Sequence, residues 1–304
     1  MLNDDVFRYI ALRQSLGFKI RVATRLLRRF AAFAEARGDS IVRSQTVMDW
    51  AAEAPSAPQR RERLNVVRRF ALHMQAENEH SEVPPARAFG NPPRRRRMPH
   101  IYTSDEVQRL LHAAGQLTPA DSMRPTTYVA LLSLLFSTGL RISEALALQF
   151  EDITPDGLVV RKTKFKKSRL VPLHPTARSG LDRYLALRKK IAGSDRSVFV
   201  SLWGTGLRYT TVYATFLELA RSAGLRRGPG TPGPRLHDAR HTFAVRALEA
   251  CRGGSAEIAR HVLALSTYLG HAHPSDTFWY LHATPLLLQG IACAGENLFE
   301  GGRS

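Results

Sequence analysis

The sequence predicts a mainly α protein with a small β element, and three observations carry that expectation. Apolar residues recur at helical spacing through most of the 304 positions. A pair of short strand-like runs, Leu158–Val160 and Leu170–Leu173, flanks a basic turn. Two stretches rich in Pro and Gly, 83–100 and 228–234, punctuate the helical pattern.

Taken in order, Leu2, Val6, Tyr9, Ile10 and Leu12 fall near helical spacing. A second amphipathic stretch gathers Ile20, Ala23, Leu26, Leu27, Phe30, Ala31, Phe33 and Ala34 on one broad face. Its Arg21, Arg25, Arg28 and Arg29 lie largely opposite, and Gly38 ends it. Thr46 is expected to cap a short run through Val47, Met48, Trp50 and Ala51. A fourth helix is expected from Pro58 to Gln75, with Leu64, Val67, Phe70, Ala71 and Met74 inward. Arg60, Arg61, Arg63, Arg68 and Arg69 would then point outward. The result is a small helical bundle over 1–82 whose Arg-rich faces suit a phosphate backbone, although any one such face could equally be a solvated surface.

Pro84, Pro85, Gly90, Pro92, Pro93 and Pro99 forbid regular helix over 83–100, which reads as a linker. Within it Arg94, Arg95, Arg96 and Arg97 form an unbroken cationic run suited to tracking along DNA. A second domain spans 101–285. Thr103 or Ser104 followed by Glu106 marks a helix start with Val107, Leu110 and Leu111 on its apolar side. Further helices are expected at Thr126–Ser137, Ser179–Ile191, Thr210–Ala223 and from His237 onward, with the two strands between the first and second. In the tail, 286–304, Leu286, Leu287, Leu288 and Ile291 form an apolar patch too short for a core of its own. It would pack on its own domain or on a neighbouring subunit.

The charge narrows the partner. Forty-four Lys and Arg against 26 Asp and Glu leave a formal +18, and the first hundred positions hold as much surplus as all the rest. So large a surplus favours a polyanion, because each neutralised phosphate releases condensed counterions. The apolar run from Tyr128 to Phe136 is too short to span a bilayer. The start, with Asp4, Asp5 and Arg8, does not resemble a secretory leader. Two cysteines, Cys251 and Cys293, make neither a disulfide scaffold nor a Cys-based zinc site, so a reducing cytoplasm is expected.

Four stretches could carry chemistry, and each also has an ordinary reading. In Thr138-Gly139-Leu140-Arg141-Ile142-Ser143-Glu144, Gly139 turns the chain and Arg141 enters the first turn of a helix, where a cation opposes the helix dipole. Glu144 lies on the same face and could hold its guanidinium, either as a surface ion pair or to present a phosphate fork. The turn Lys162–Arg169 carries Lys164, Lys166 and Lys167, which suit a nucleic-acid groove or a leaving oxygen, or simply water. In His237-Asp238-Ala239-Arg240-His241, His237 and Arg240 share a helical face and could converge on one phosphate. A metal pair of His237 and His241 lacks a third ligand. Finally, Gly270-His271 precedes Tyr280 by nine residues, and Tyr280 sits among Phe278 and Trp279 as a core tyrosine would.

An arginine, a lysine turn, a His-x-x-Arg, a Gly-His and a tyrosine, in this order on a basic chain, resemble the tyrosine recombinase (phage integrase) family. The resemblance covers 101–285 through these motifs and the N-terminal bundle as a core-binding, SAM-like DNA-binding domain. Phe165 replaces a commonly small residue, and the loop before His237 is long. The resemblance implies an α+β catalytic domain in which Tyr280 attacks a scissile phosphate and forms a 3′-phosphotyrosyl link. Arg141, His237, Arg240 and His271 would meet the charge of the transition state, Glu144 would orient Arg141, and Lys164, selected by alignment with the strand at Arg169–Leu173, would protonate the leaving oxygen. It implies double-stranded DNA as partner, a tetramer on DNA of this chain alone or of this chain with related recombinases, and no metal or cofactor. Integration, excision and transposition are all compatible with it. Relaxation of supercoils, as by type IB topoisomerases, and DNA binding without catalysis are the alternatives.

Overall fold

Helices α1 (Leu2–Ser15), α2 (Arg21–Glu35), α3 (Ser44–Ala52) and α4 (Ala57–Glu77) open the chain. The computed structural model describes residues 2–91, 98–161, 168–191, 195–228, 230–251 and 255–270, together with Thr277 and Tyr280. The chain divides into two compact units, Met1–Arg96 and Arg97–Ser304.

In the first unit, Leu27, Phe30, Val47, Trp50, Leu64, Val67 and Phe70 make a closed core. The apolar face of α1 is narrower than its spacing suggests, since Leu12 is 44% exposed. The arginines of α2 lie outward as expected. Thr46 does not cap α3: Arg43 occupies that position, and Thr46 is buried one turn in, donating to Asp39 Oδ2 at 2.6 Å. Arg63 does not point outward either. Its guanidinium lies over the Trp50 ring and donates to Trp50 O at 2.6 Å. The first part of the expected linker packs back on the bundle. Glu82 N donates to Val42 O, Val83 and Phe89 cover the core, and Arg68 donates to Pro84 O. Arg94 to Arg97 lie outside the described residues.

The second unit holds α5 (Ser104–Gly115), α6 (Met123–Thr138), α7 (Ile142–Leu146), a 3-10 turn (Phe150–Asp152), β1 (Ile153–Thr154), β2 (Gly157–Val160), β3 (Arg169–Val171), α8 (Pro175–Arg188), α9 (Tyr209–Ser222), α10 (Asp238–Glu249) and α11 (Ser255–Leu269). Thr103 caps α5 through a reciprocal box with Glu106. The apolar α6 buries Leu131, Leu132, Leu134 and Leu135 in one core with Leu110, Leu158, Val171, Phe199 and Phe216. The sheet is antiparallel in the order β1-β2-β3, with Leu158 opposite Val171 and Val160 opposite Arg169. Two features differ from the sequence reading. The two-residue strand β1 is too short to show a period, and β3 stops at Val171 because Pro172 has no N–H to continue the ladder. A second core joins α10 and α11 through Ala244, Val245, Leu248, Val262, Leu265 and Leu269, and Tyr280 belongs to it.

Candidate active site

Two glycines shape the backbone of the site. Gly139 ends α6 at φ +61, where an added Cβ would stand 2.5 Å from the Phe243 ring. Gly270 follows α11 at φ +67 and lies against the Arg169 guanidinium. Both conditions, left-handed backbone and close approach, exclude a side chain.

Arg141 is not inside the first turn of α7 but is its N-cap, with extended backbone. Glu144 answers the cation at this end: it accepts from the Arg141 backbone N–H at 3.0 Å and from Nη1 at 2.8 Å. Arg169, at the start of β3, closes its fork on the same carboxylate at 3.1 and 2.9 Å. Burial would raise the Glu144 carboxyl. The hydrogen bonds from Arg169 and from the Arg141 backbone outweigh it and hold the pKa at about 2.

Arg240 lies on α10 and is 2% exposed. Its Nη1 donates to Gly139 O at 2.8 Å and its Nη2 to Leu269 O at 2.7 Å, so it joins the end of α6 to the end of α11. Burial first, and then the charge of Arg141, lower its pKa to about 10, which leaves it cationic near neutrality. His237 precedes α10 and is open to solvent on one side. Desolvation of its inner side and the charge of Arg240 lower its pKa, with Asp238 opposing. The loop before it is held by Arg235, which donates to Asp238 Oδ1 at 2.7 Å.

Tyr280 is 3% exposed and meets the His241 ring edge to face, with centroids 5.3 Å apart. His241 in turn meets His237 at 4.8 Å in the same manner. A negative charge on the Tyr280 oxygen would support the Arg240 cation against the effect of its burial. His241 is 8% exposed, and burial, then the charge of His237, drop its pKa to about 4. The structure therefore gathers Arg141, Glu144, His237, Arg240 and Tyr280 from three separate stretches of sequence. Lys164, Lys166, Lys167, His271 and the tail over 286–304 lie outside the described residues.

Sequence reasoning gave Arg169 and His241 no role in this site, and weighed His241 only as half of a metal pair. Arg169 carried one signal, a cation opening an apolar strand, but its partner Glu144 lies 25 positions away. In the first unit, Arg60 donates to Ala54 O and Arg68 to Pro84 O, so both hold loops of the bundle. Arg61 and Arg69, with Lys19 and Arg21, line an open groove of about 900 Å³ between the start of α2 and α4. Among the described residues, no group of three His, Cys, Asp or Glu could hold a metal ion, and no helix is long and apolar enough to cross a membrane.

The model of the phage integrase family matches residues 101–286. The chain belongs to that family. It is 38% identical to the integrase/recombinase-like protein y4rB of Sinorhizobium fredii, over 98% of each chain. It is 35% identical to the tyrosine recombinase XerD of Mycobacterium tuberculosis, over 69% of this chain and 65% of that one. Its fold is similar to that of the XerH site-specific recombinase bound to its palindromic difH substrate, with a TM-score of 0.65, 20% identity and coverage of 91% and 80%. A lambda integrase dimer bound to a core site gives 0.63, 20%, 92% and 76%. This phage integrase family member is a tyrosine recombinase, an enzyme that cleaves and rejoins DNA strands in site-specific recombination.

Proposed function

We propose that Tyr280 is the nucleophile of this recombinase and that Arg141, Arg240 and His237 form the cradle of the scissile phosphate. The observation that carries the assignment is the convergence of Arg240, His241 and Tyr280 beside Arg141, from three distant segments of the sequence. Tyr280 Oη bonds to phosphorus as the bond from phosphorus to the 5′-oxygen breaks, which leaves a 3′-phosphotyrosyl link and conserves the energy for rejoining. His237, with its pKa lowered, is neutral near pH 7 and is suited to accept the phenolic proton. Lys164 supplies a proton to the leaving 5′-oxygen, and His271 adds a donor to the non-bridging oxygens. Arg141 and Arg240 balance the charge gathered there in the transition state. Glu144 touches no DNA and orients Arg141. Because Tyr280 is 3% exposed, cleavage requires that DNA binding uncover its hydroxyl.

The N-terminal bundle, the linker with Arg94–Arg97 and the catalytic domain form the DNA-binding chain, with Arg61, Arg69, Lys166 and Lys167 contacting phosphates. XerH and lambda integrase are seen on DNA, the latter also as a tetramer on a Holliday junction, which supports a tetrameric assembly here. A cytoplasmic location fits action on DNA, in integration, excision or transposition.

The test begins with a random-sequence duplex pool, from which rounds of binding recover the recognition site. A duplex carrying that site, nicked beside the cleavage position, then traps the covalent intermediate. Wild type is expected to form a protein–DNA adduct, and Tyr280→Phe none. An adduct with Tyr280→Phe would overturn the nucleophile assignment.

A further inference from the structure

Three guanidinium groups from distant segments each reach one of three successive carbonyls at the end of α11. Arg169 Nε donates to Tyr268 O at 2.8 Å, Arg240 Nη2 to Leu269 O at 2.7 Å, and Arg141 Nη2 reaches Gly270 O at 3.5 Å. Carbonyls at a helix C-terminus lack partners within the helix and carry partial negative charge, so cations are favoured there. Two of these arginines are assigned above to the phosphate. Arg169 is not, and its geometry differs from theirs.

The Arg169 side chain is 12% exposed, against 32% for Arg141. All three of its guanidinium nitrogens are engaged inside the protein: Nε on Tyr268 O, Nη1 and Nη2 on the two oxygens of Glu144. Glu144, 8% exposed, is bonded to Arg141 as well. Two cations therefore share one carboxylate. With Arg169 absent, that carboxylate would spend its full charge on Arg141 and compete with the phosphate for it.

We propose that Arg169 is a positioning residue for DNA cleavage: it holds Glu144 and the end of α11 so that Arg141 is presented to the phosphate with its charge available. This rests on the reading of Arg141 as a phosphate ligand. A lysine would keep the charge but could not span two carboxylate oxygens and a carbonyl with one planar fork.

The experiment is a double-mutant cycle on the full chain. Single-turnover trapping on the nicked duplex is measured beside DNA affinity and thermal melting for wild type, Arg169→Lys, Arg169→Gln, Glu144→Gln and the Arg169→Gln/Glu144→Gln pair. Arg169→Gln is expected to slow trapping about 10²-fold, the cost of disturbing one preorganised donor. DNA affinity should stay within about 3-fold, and Arg169→Lys should fall between Arg169→Gln and wild type. The double variant should be no slower than Arg169→Gln, because a neutral Glu144→Gln no longer competes for Arg141. Trapping of Arg169→Gln at the wild-type rate, or a double loss equal to the product of the single losses, would overturn the proposal. If Arg169→Gln melts below the assay temperature, Arg169→Lys with and without Glu144→Gln completes the cycle under the same criteria. Absence of any adduct with wild type would count against the Tyr280 reading instead, so the two failures are distinguishable.

Discussion

In the first unit, Arg21, Arg25, Arg28 and Arg29 run along the exposed side of α2, whereas in the second the half-buried Arg169 and the buried Arg240 spend their donors on named carbonyl and carboxylate oxygens. The residue type is the same and the physics is not. An exposed guanidinium contributes long-range attraction that salt screens, and it can follow a phosphate wherever the duplex presents one. A guanidinium fixed on two backbone carbonyls has lost that freedom before DNA arrives, so it costs little reorganisation when charge develops in the transition state. On the proposed function, binding and chemistry are divided between two ways of holding one side chain.

The division is broken most directly at Arg240. Arg240→Ala removes the cation and also strands Gly139 O and Leu269 O in a buried site. Single-turnover cleavage is expected to fall at least 10²–10³-fold, the usual cost of one lost transition-state donor. The melting temperature should fall as well, since an unsatisfied buried carbonyl costs about 1–3 kcal/mol. DNA affinity in a gel shift should change little. An equal loss of affinity and rate would make Arg240 a binding residue, the role proposed for the arginines of the bundle.

Gly139 tests the same site from the backbone. Gly139→Ala forces a left-handed residue, at about 1–2 kcal/mol, and brings a methyl against the Phe243 ring. With the packing strain added, a loss of about 3 kcal/mol in denaturant unfolding is expected. Gly38, at φ +80 with open space around it, should lose only the conformational part on substitution by Ala.

How much of this was legible beforehand follows from range. The bundle could be read because its helices carry their period in adjacent turns: the faces of α2 and α4 are local properties of the sequence. Thr103 and Glu106 announce α5 for the same reason, three residues apart. The arginine, His-x-x-Arg and tyrosine of the site were visible as residue types, and their order was enough for the family. Their supports were not. The bond from Arg240 to Gly139 O crosses 101 positions and that from Arg169 to Glu144 crosses 25, and no period records such pairs. Arg63 shows the converse: its helical position faces outward, yet Trp50 offers a ring and a carbonyl that draw it in.

His241 separates the units by pH. Its pKa falls from 6.5 to about 4 on folding, so the unfolded chain binds more protons between those values. Stability contributed by the neutral ring is therefore complete above about pH 6.5 and is lost as pH falls toward 4. From pH 7 to pH 5 the second unit should lose about 2 kcal/mol through this group, at 1.36 kcal/mol per unit of pKa. Melting of His241→Phe across that range should show a shallower decline than wild type. Parallel curves would mean that His241 is not held neutral beside Tyr280.

The smallest effects belong to the groove of the bundle. Lys19, Arg21, Arg61 and Arg69 line it, and Arg21 and Arg69 are exposed. If these cations meet phosphates and nothing else, each Ala substitution removes one counterion-release contact. The slope of log affinity against log salt should then become shallower by about 1 per substitution. Cleavage measured at saturating protein should stay within about 2-fold of wild type, because the lost energy is uniform binding that ground state and transition state share. A substitution in the groove that left the salt slope unchanged while slowing saturated cleavage would place transition-state work in the first unit. The contrast between held and free arginines would then fail where the free ones are most exposed.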